Sequence, residues 1–518
     1  MRRPRLAVLL TAALAVGAVA SVPVSAGVGD PLGPDLDAIL ANPALRGADV
    51  GLVVRTADGS RTLYRRAGDR RQQPASTIKL VTSAAALELL GPDHRFATTV
   101  AAGGPSSGPV LRGDLYLRGT GDPTMLAKDY DALAARVAAA GIRFVQGKLV
   151  ADDTWFDTSR LASGWAWDDE PYYYNAQVSA LTAAPDTDFD TGSVIVKVAP
   201  AAPGAAPAVT TDPPTDYVKI ANTAVTGTAG SPSTLSVGRE HGGNTITVSG
   251  SIPAGAAPTS EWMAVWEPTD YAAALFRDAL AAHGVRVLGP TTRGATPQSA
   301  RRLAERRSMP LRELQVPFLK LSNNLVAEIL VKSIGRKVSG VGSWDAGLAA
   351  IDTALPGLGV DPTTKYTVDG SGLSRMDNLS ADALTSLLIA ARGKPWFNEW
   401  YDALPIAGRP DRLVGGTLRN RMRGTPAEGN VHAKTGSYTG TSGLAGYVTA
   451  ANGEHLVFAI IANNNLTASL RTIEDAVAVR LANYDGDQDI ARPANVPAQR
   501  TEPRSRRADL ECAWTKTC

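Results

Sequence analysis

Cysteine and histidine are both scarce in this chain of 518 residues. The only cysteines, Cys512 and Cys518, lie near the C-terminus. In an exported protein they can pair with each other, and the bond would close a small loop in the tail without crosslinking a core. No two of the five histidines show HxxxH or HExxH spacing. Because zinc sites depend on clustered cysteine and histidine, the sequence predicts no metal centre and no cofactor.

An excess of either charge is also absent. The chain has 52 lysines and arginines against 50 aspartates and glutamates. No basic stripe dominates any segment, so nucleic acid is not expected as a partner. Beyond the first 26 residues no second run of about 20 apolar residues occurs, so we expect no transmembrane anchor after signal cleavage.

The N-terminus has the layout of a secretory signal peptide. Arg2, Arg3 and Arg5 precede an apolar run, Leu6–Ala20, and a Val-Ser-Ala sequence follows at 24–26. The run is short for a membrane span, which favours a cleaved signal over the alternative of an uncleaved anchor helix. The sequence therefore predicts export to the periplasm, the cell wall or the medium.

Strand patterns near the two ends of the chain predict one shared sheet. They occur at Asp49–Val54, Arg61–Arg65, Asn430–Lys434, Leu444–Thr449 and Leu456–Ile461. Helical patterns follow the first pair and the last strand, the latter at Leu466–Leu481. The fold class predicted is α/β (α+β), with a five-stranded antiparallel sheet flanked by helices.

The middle of the chain interrupts this domain. Short strand-like runs, such as Val110–Leu117, alternate with stretches rich in proline, glycine, alanine and threonine. Helices are predicted at Tyr130–Ala140 and Asp270–His283. The predicted division is a signal peptide at 1–26, the main domain at 27–97 and 301–484, an inserted mixed domain at 98–184 and 263–300, an inserted β-rich domain at 185–262, and a mobile polar tail at 485–518.

Three short motifs carry candidate chemistry. They are Ser76-Thr77-Ile78-Lys79, Ser322-Asn323-Asn324 and Lys434-Thr435-Gly436. The first two are each weak evidence alone, and the third is rarer. Their combined context is stronger, because the first opens a helix, the second lies at a break between helices, and the third lies on a strand. This set, with S-D-N or a variant in the middle, occurs in penicillin-binding proteins and class A β-lactamases.

The residue types suit acyl transfer through a serine nucleophile. A serine hydroxyl needs a base to take its proton, and Lys79 lies about one helical turn from Ser76. Lys79 can act as this base only if its pKa is lowered, by burial or by a second cation such as Lys434. The helix N-terminus near Ser76 and the strand that carries Ser437 can supply N–H groups to a developing oxyanion.

The remaining motif residues have candidate roles around this pair. Ser322 can relay a proton to the leaving amine, and Asn324 can orient Lys79 and hold the substrate amide. Thr435 and Ser437, with Gly436 between them on the strand, suit a substrate carboxylate. Two alternatives remain: Ser76 as a simple helix cap, and a Ser–His–Asp mechanism through His432, for which no nucleophile elbow is present.

With these motifs the chain resembles the low-molecular-mass class C penicillin-binding proteins, the D-alanyl-D-alanine carboxypeptidase/endopeptidase family. The likeness includes the long insertion between the first two motifs, the segment Gly119–Thr124 (Gly-Thr-Gly-Asp-Pro-Thr) and the glycine-containing segment Asp369–Arg375. It implies a serine β-lactamase/transpeptidase-like domain with inserted domains. It also implies peptidoglycan stem peptides as substrates and β-lactam antibiotics as acylating inhibitors.

The resemblance further implies a pocket for a substrate side chain of the diaminopimelate type. Trp165, Asp168 and Tyr173 fit the aromatic and acidic patch that such family members carry on the inserted domain. Leu373, Arg375 and Tyr438 are expected to approach from the main domain. Asp168 would pair with the side-chain ammonium and Arg375 with its carboxylate.

Two other functions share part of this pattern. A β-lactamase has the same three motifs, but class A members place the first two far closer together. A non-catalytic sensor of peptidoglycan or β-lactams would not need the complete set of Ser76, Lys79 and Lys434. Both stay as alternatives to a serine DD-peptidase.

Overall fold

The computed structural model of the protein describes residues 32–467, 469–486 and 510–516. The predicted signal peptide at 1–26 lies outside these residues. Within the described ranges, none of the helices combines the length and the apolar character that crossing a bilayer requires.

The strands of the described residues fall into two groups at the chain ends and a large group between them. They are β1 (Asp49–Thr56), β2 (Thr62–Arg66), β3 (Ala97–Ala102), β4 (Ser106–Ser107), β5 (Val110–Leu111), β6 (Leu115–Gly119), β7 (Phe144–Val145), β8 (Leu149–Asp152), β9 (Ser193–Ala199), β10 (Ala208–Asp212), β11 (Lys219–Asn222), β12 (Val225–Gly227), β13 (Ser236–Arg239), β14 (Thr245–Ser249), β15 (Ser251–Pro253), β16 (Thr259–Ala264), β17 (Arg286–Val287), β18 (Thr291–Arg293), β19 (Arg301–Arg307), β20 (His432–Tyr438), β21 (Thr441–Thr449) and β22 (His455–Asn463).

The helices concentrate before the first strand, in the main domain and at its end. They are α1 (Leu32–Leu40), α2 (Lys79–Leu89), α3 (Ala127–Ala139), α4 (Pro268–Ala282), α5 (Leu311–Lys320), α6 (Asn324–Ser339), α7 (Trp344–Ala354), α8 (Ala381–Ala391), α9 (Phe397–Asp402), α10 (Arg412–Gly415) and α11 (Arg471–Ala482). Short 3-10 segments include Ala75–Ile78, which leads directly into α2.

The central sheet joins the two ends of the chain. Its strand order is β2-β1-β22-β21-β20, and every neighbouring pair is antiparallel. Along β1, Leu52 and Val54 enter the core shared with α1 and α11, while Val53 enters the core shared with α2, α6 and α8. Successive side chains of a strand point to opposite faces, so helices cover both faces of this sheet. The predicted five-stranded sheet and the fold class are confirmed.

The inserted region forms sheets of its own. One has the order β18-β8-β6-β3-β19, and α3 packs against α4 beside it. Strand β19, which begins at the predicted boundary of 301, pairs with β3 in this sheet. Strands β9 to β16 form the smaller sheets of the β-rich segment.

Two predicted elements differ in extent. The single strand predicted at Val110–Leu117 is two strands in different sheets, because the chain bends at Gly113 between them. The final helix begins at Arg471 and not at Leu466. The hydroxyl of Ser469 accepts a hydrogen bond from the Arg471 N–H (3.2 Å) at this later start.

The segment Gly119–Thr124 ties the inserted sheet together. The buried carboxylate of Asp122 accepts hydrogen bonds from the N–H (2.9 Å) and the hydroxyl (2.7 Å) of Thr124. Its other oxygen pairs with Arg306 of β19 at 2.5 Å. This part of the family likeness therefore serves the packing of the insertion.

Candidate active site

Ser76 lies where the start of α2 meets the edge strand of the central sheet. It belongs to the 3-10 turn Ala75–Ile78 and has no exposed surface. A Cβ at Gly436 of β20 would lie 2.9 Å from the Ser76 nitrogen and 2.8 Å from the Pro74 oxygen. Only glycine permits this approach, so the third motif needs its glycine to bring strand and serine together.

Lys79 is held against the Ser76 hydroxyl. Its Nζ lies 2.6 Å from Ser76 Oγ, 2.7 Å from Asn324 Oδ1 and 2.8 Å from the Ser371 carbonyl. Complete burial, reinforced by the charge of Lys434, holds the pKa of Lys79 well below its usual value. An amine that loses its proton readily, next to a serine hydroxyl, is the arrangement that general-base activation requires.

The second and third motifs meet at Ser322. This residue occupies the break between α5 and α6 with a left-handed φ of 57°. Lys434 Nζ donates to Ser322 Oγ (2.8 Å) and to the Thr435 carbonyl (2.7 Å). Burial lowers the pKa of Lys434 to about 8, although the carboxylate of Glu511 raises it in part.

The two asparagines of the second motif donate hydrogen bonds to the long segment that separates the first two motifs. Asn323 caps α6 by accepting from the Val326 N–H (3.0 Å) and donates to the Asp188 carbonyl (3.0 Å) of the inserted region. Asn324 accepts from Lys79 and donates to the Tyr174 carbonyl (2.8 Å). Its amide is therefore fixed with the oxygen toward the lysine.

Glu328, which the motifs do not include, orders the loop that accepts from Lys79. Its carboxylate accepts from the N–H groups of Gly370 (3.0 Å) and Ser371 (2.9 Å). Burial, together with the nearby Asp369, raises the pKa of Glu328 to about 7. The sequence offered one sign that Glu328 is a site residue: it is a glutamate one turn after Asn324 in an otherwise apolar stretch of α6.

The proposed carboxylate subsite lies along β20. Thr435 Oγ1 lies 2.8 Å from Thr417 Oγ1, and its proton is donated to the carboxylate of Glu511. Gly436 and Ser437 continue the strand, which is the free edge of the central sheet on this side. The three predicted residues are therefore adjacent to Ser76.

The residues predicted for a side-chain pocket are partly brought together. Asp168, Tyr173 and Arg375 line one cavity, and the Arg375 guanidinium lies 4.7 Å from the ring centroid of Tyr438. Leu373 and Tyr438 belong to the apolar cluster beside it. Trp165 also packs against this cluster, but it does not line the cavity, and its indole N–H donates to Asp369 (2.8 Å).

His432 does not take part in a Ser–His pair. Its ring stacks on Tyr401 at 4.2 Å, and burial lowers its pKa to about 4. The nitrogen near Ser76 Oγ belongs to Lys79. The geometry thus removes the Ser–His–Asp alternative.

The C-terminal residues 510–516 belong to the tail that was predicted to be mobile, and they pack against the candidate site. Glu511 and Trp514 are buried in the active-site cleft, and Tyr173 donates its hydroxyl to the Ala513 carbonyl (2.9 Å). Leu510, Ala513 and Trp514 join the apolar cluster around Leu373. The polar composition of the tail as a whole gave no indication that these three residues would be buried. Cys512 is disulfide-bonded, and the chain's other cysteine lies outside the described residues.

Comparison with known proteins identifies the family. Residues 32–484 match the model of the D-Ala-D-Ala carboxypeptidase 3 (S13) family. A D-alanyl-D-alanine carboxypeptidase of Actinomadura sp. strain R39 is 49% identical over 492 residues, which cover 93% of this chain and 90% of the relative.

Solved structures agree with the sequence comparison. Penicillin-binding protein 4 (dacB) of Haemophilus influenzae superposes with a TM-score of 0.75 at 25% identity, over 86% of this chain and 97% of that one. Its complex with a β-lactam superposes with a TM-score of 0.68 at the same identity and coverage. This chain belongs to the D-Ala-D-Ala carboxypeptidase 3 (S13) family, in agreement with the resemblance that its three motifs carry.

Proposed function

We propose that, within this family of serine DD-peptidases, the chain is an exported enzyme that cleaves peptidoglycan stem peptides through an acyl-enzyme on Ser76. The observation that supports this most directly is the 2.6 Å contact between Ser76 Oγ and the buried Lys79 amine, whose pKa is lowered. A structural lysine would be expected to keep its charge and pair with a carboxylate.

In the proposed acylation step, neutral Lys79 takes the proton from Ser76 as Oγ attacks the carbonyl carbon of the penultimate D-alanine. The N–H groups of Ser76 and of the β20 strand at Ser437 stabilise the oxyanion that forms. The proton then passes through Ser322 to the leaving amine, and D-alanine departs. In deacylation, water adds its hydroxyl group to the acyl carbon, and the remaining proton of the water restores the Ser76 hydroxyl.

Substrate orientation is assigned to the groups around this centre. Lys434, Thr435 and Ser437 bind the terminal carboxylate, and Asn324 binds the amide of the stem peptide. When the leaving group is part of a cross-link, the same chemistry is endopeptidase cleavage. A β-lactam acylates Ser76 in the same way, but its leaving group stays tethered and hinders deacylation. The β-lactam complex of the Haemophilus influenzae protein supports this inhibitor class.

The side-chain pocket is part of the proposal. Asp168 pairs with an ammonium and Arg375 with a carboxylate at the end of a diaminopimelate-type side chain. Their place in a single cavity beside Tyr173 supports this assignment. Trp165 does not contact the substrate side chain in this proposal; it positions Asp369 through the hydrogen bond from its indole N–H.

The test is release of D-alanine from two synthetic peptides that end in D-Ala-D-Ala. One carries a side chain with a free amino and carboxylate group, and the matched peptide carries alanine at that position. We expect release from both and faster release from the first. Equal rates would refute the pocket alone, whereas binding without release would refute the enzyme and favour a sensor.

The pH dependence follows from the two buried lysines. Lys79 must be neutral to act as a base, so kcat/KM rises with pH as this group loses its proton, at a pH below the usual lysine range. Lys434 must be charged to bind a carboxylate, so kcat/KM falls above about pH 8. A Lys434→Arg protein keeps its charge at any accessible pH and should lose the alkaline decline. If kcat/KM of that variant still falls above about pH 8, Lys434 does not bind the substrate carboxylate.

A further inference from the structure

The C-terminal segment, residues 510–516, lies in the cleft that the proposed mechanism uses. Glu511 is 2% exposed, and its carboxylate accepts hydrogen bonds from Ser322 Oγ (3.3 Å) and from Thr435 Oγ1. These hydroxyls are the groups assigned above to the proton relay and to the substrate carboxylate. Burial opposes the charge of Glu511, but Lys434, Thr435 and Lys79 outweigh it and keep its pKa below the usual value.

Trp514 covers the catalytic lysine. Its indole N–H donates to the Ser322 carbonyl (3.0 Å), and its ring stacks on Tyr174 at 5.3 Å with an interplanar angle of 13°. Lys79 Nζ lies 5.4 Å from the centroid of the indole ring. The indole therefore lies beside the amine that contacts Ser76 Oγ.

Lys516 anchors the far end of the segment on the inserted region. Its ammonium donates to Asp190 (2.6 Å) and Asp188 (2.9 Å), and it lies over the rings of Tyr173 (4.5 Å) and Trp262 (4.9 Å). Two carboxylates and two aromatic faces form a complete environment for an ammonium group. The carboxylates of Asp186, Asp188 and Asp190 lie close enough together to bind one metal ion, but two of them pair with cations of the chain: Lys516 with Asp188 and Asp190, and Arg412 with Asp188.

With the segment in place, the central residues of the candidate site are buried. Ser76, Lys79 and Lys434 have no exposed surface, although a substrate carbonyl must reach the first of them. The segment presents a carboxylate beside the Lys-Thr-Gly strand and, five residues later, an ammonium beside an acidic pair. It therefore satisfies the charged groups of the cleft at both ends without offering a scissile bond to Ser76.

We propose that residues 510–516 are an intramolecular ligand of this cleft and hold the full chain in a self-inhibited state, with Glu511 in place of the substrate carboxylate and Lys516 in an ammonium site formed by Asp188 and Asp190. The proposal rests on the proposed function for the identity of the blocked groups. A tethered ligand acts at an effective concentration of order 1 mM. With a segment affinity of about 0.1 mM, roughly a tenth of the sites would be open, and acylation would slow about tenfold.

The test compares the full chain with a Glu511→Gln/Lys516→Gln double variant, which keeps side-chain size and removes both charges. We expect the variant to be acylated by a fluorescent penicillin about tenfold faster at low concentration, with an unchanged limiting rate at saturation. The matched control is Glu454→Gln/Lys197→Gln, which removes the same charges from surface ion pairs with Arg61 and Asp212. It should behave like the wild type.

A second readout does not depend on catalysis. Backbone amides of Trp514, Thr515 and Lys516 donate within the segment. We expect slow hydrogen–deuterium exchange at 510–516 in the wild type, and fast exchange in the double variant or after penicillin acylation. Fast exchange in the wild type, or equal acylation of wild type and double variant, overturns the proposal. Slower deacylation in the double variant would make Glu511 a participant in turnover and also overturns it.

The two failures are distinguishable. If slow exchange at 510–516 is lost in the double variant but neither protein is acylated, the segment binds the cleft as described and the proposed function fails. In that case self-inhibition fails with it. If both proteins are acylated at the same rate, the proposed function stands and only the self-inhibition is refuted.

Discussion

A Ser76→Ala protein is expected to form no penicillin adduct and to lose D-alanine release by at least about 10⁴-fold. The change removes the atom that would carry the acyl group and breaks the 2.6 Å contact with Lys79. Alanine fits the space, so the turn Ala75–Ile78 should keep its conformation. Intact mass after incubation with penicillin measures the adduct, and chromatography of the released amino acid measures turnover.

The control is a serine of α2, the helix that follows the turn Ala75–Ile78, and it has no part in the proposed chemistry. Ser83 is fully buried, donates to the Leu80 carbonyl (3.0 Å) and accepts from the Trp400 indole (2.7 Å). Ser83→Ala should lose some stability and keep the adduct. An adduct on Ser76→Ala would place the nucleophile elsewhere. Rapid turnover of the drug by the wild type, without a persistent adduct, would favour the β-lactamase alternative.

The central sheet could be predicted because its signal is local and redundant. Each of the five strands shows its own apolar pattern, and the turn at Asn452-Gly453 sets one hairpin. The first motif could be interpreted for the same reason, since Ser76 and Lys79 are three residues apart on one turn. That Lys434 and Ser322 would complete the site followed from the resemblance, because no local pattern encodes a contact between residues so far apart.

The C-terminal segment could not be predicted, for a physical reason. Seven residues are too few to show a helical or strand period, and the surrounding tail has the composition of a disordered chain. Burial of Trp514 depends on Tyr174 and Leu373, which come from two other parts of the chain. The role of Glu328 could not be predicted for a related reason. Its partners are the N–H groups of a loop whose position only the tertiary structure defines.

Replacement of Lys79 by methionine is expected to lower the acylation rate by about 10²–10⁴-fold, the usual contribution of a general base. Methionine fills the buried volume but cannot accept the proton of Ser76. The amine also loses its bonds to Asn324 and Ser371, at a cost of about 1–3 kcal/mol in stability for the polar groups left without a partner. Stopped-flow acylation by a fluorescent penicillin and thermal unfolding separate these two effects.

Lys320→Met provides the comparison. Lys320 is also buried, and burial lowers its pKa to about 8, but its ammonium donates to the Leu404 carbonyl and not to Ser76. Both variants exchange a buried amine for a thioether, so both should change in stability by a similar amount. Only Lys79→Met should lose acylation. Similar losses of rate in the two proteins would mean that the amine of Lys79 supports the fold of the site without taking the serine proton, and the base would then have to be sought at Ser322 and Lys434.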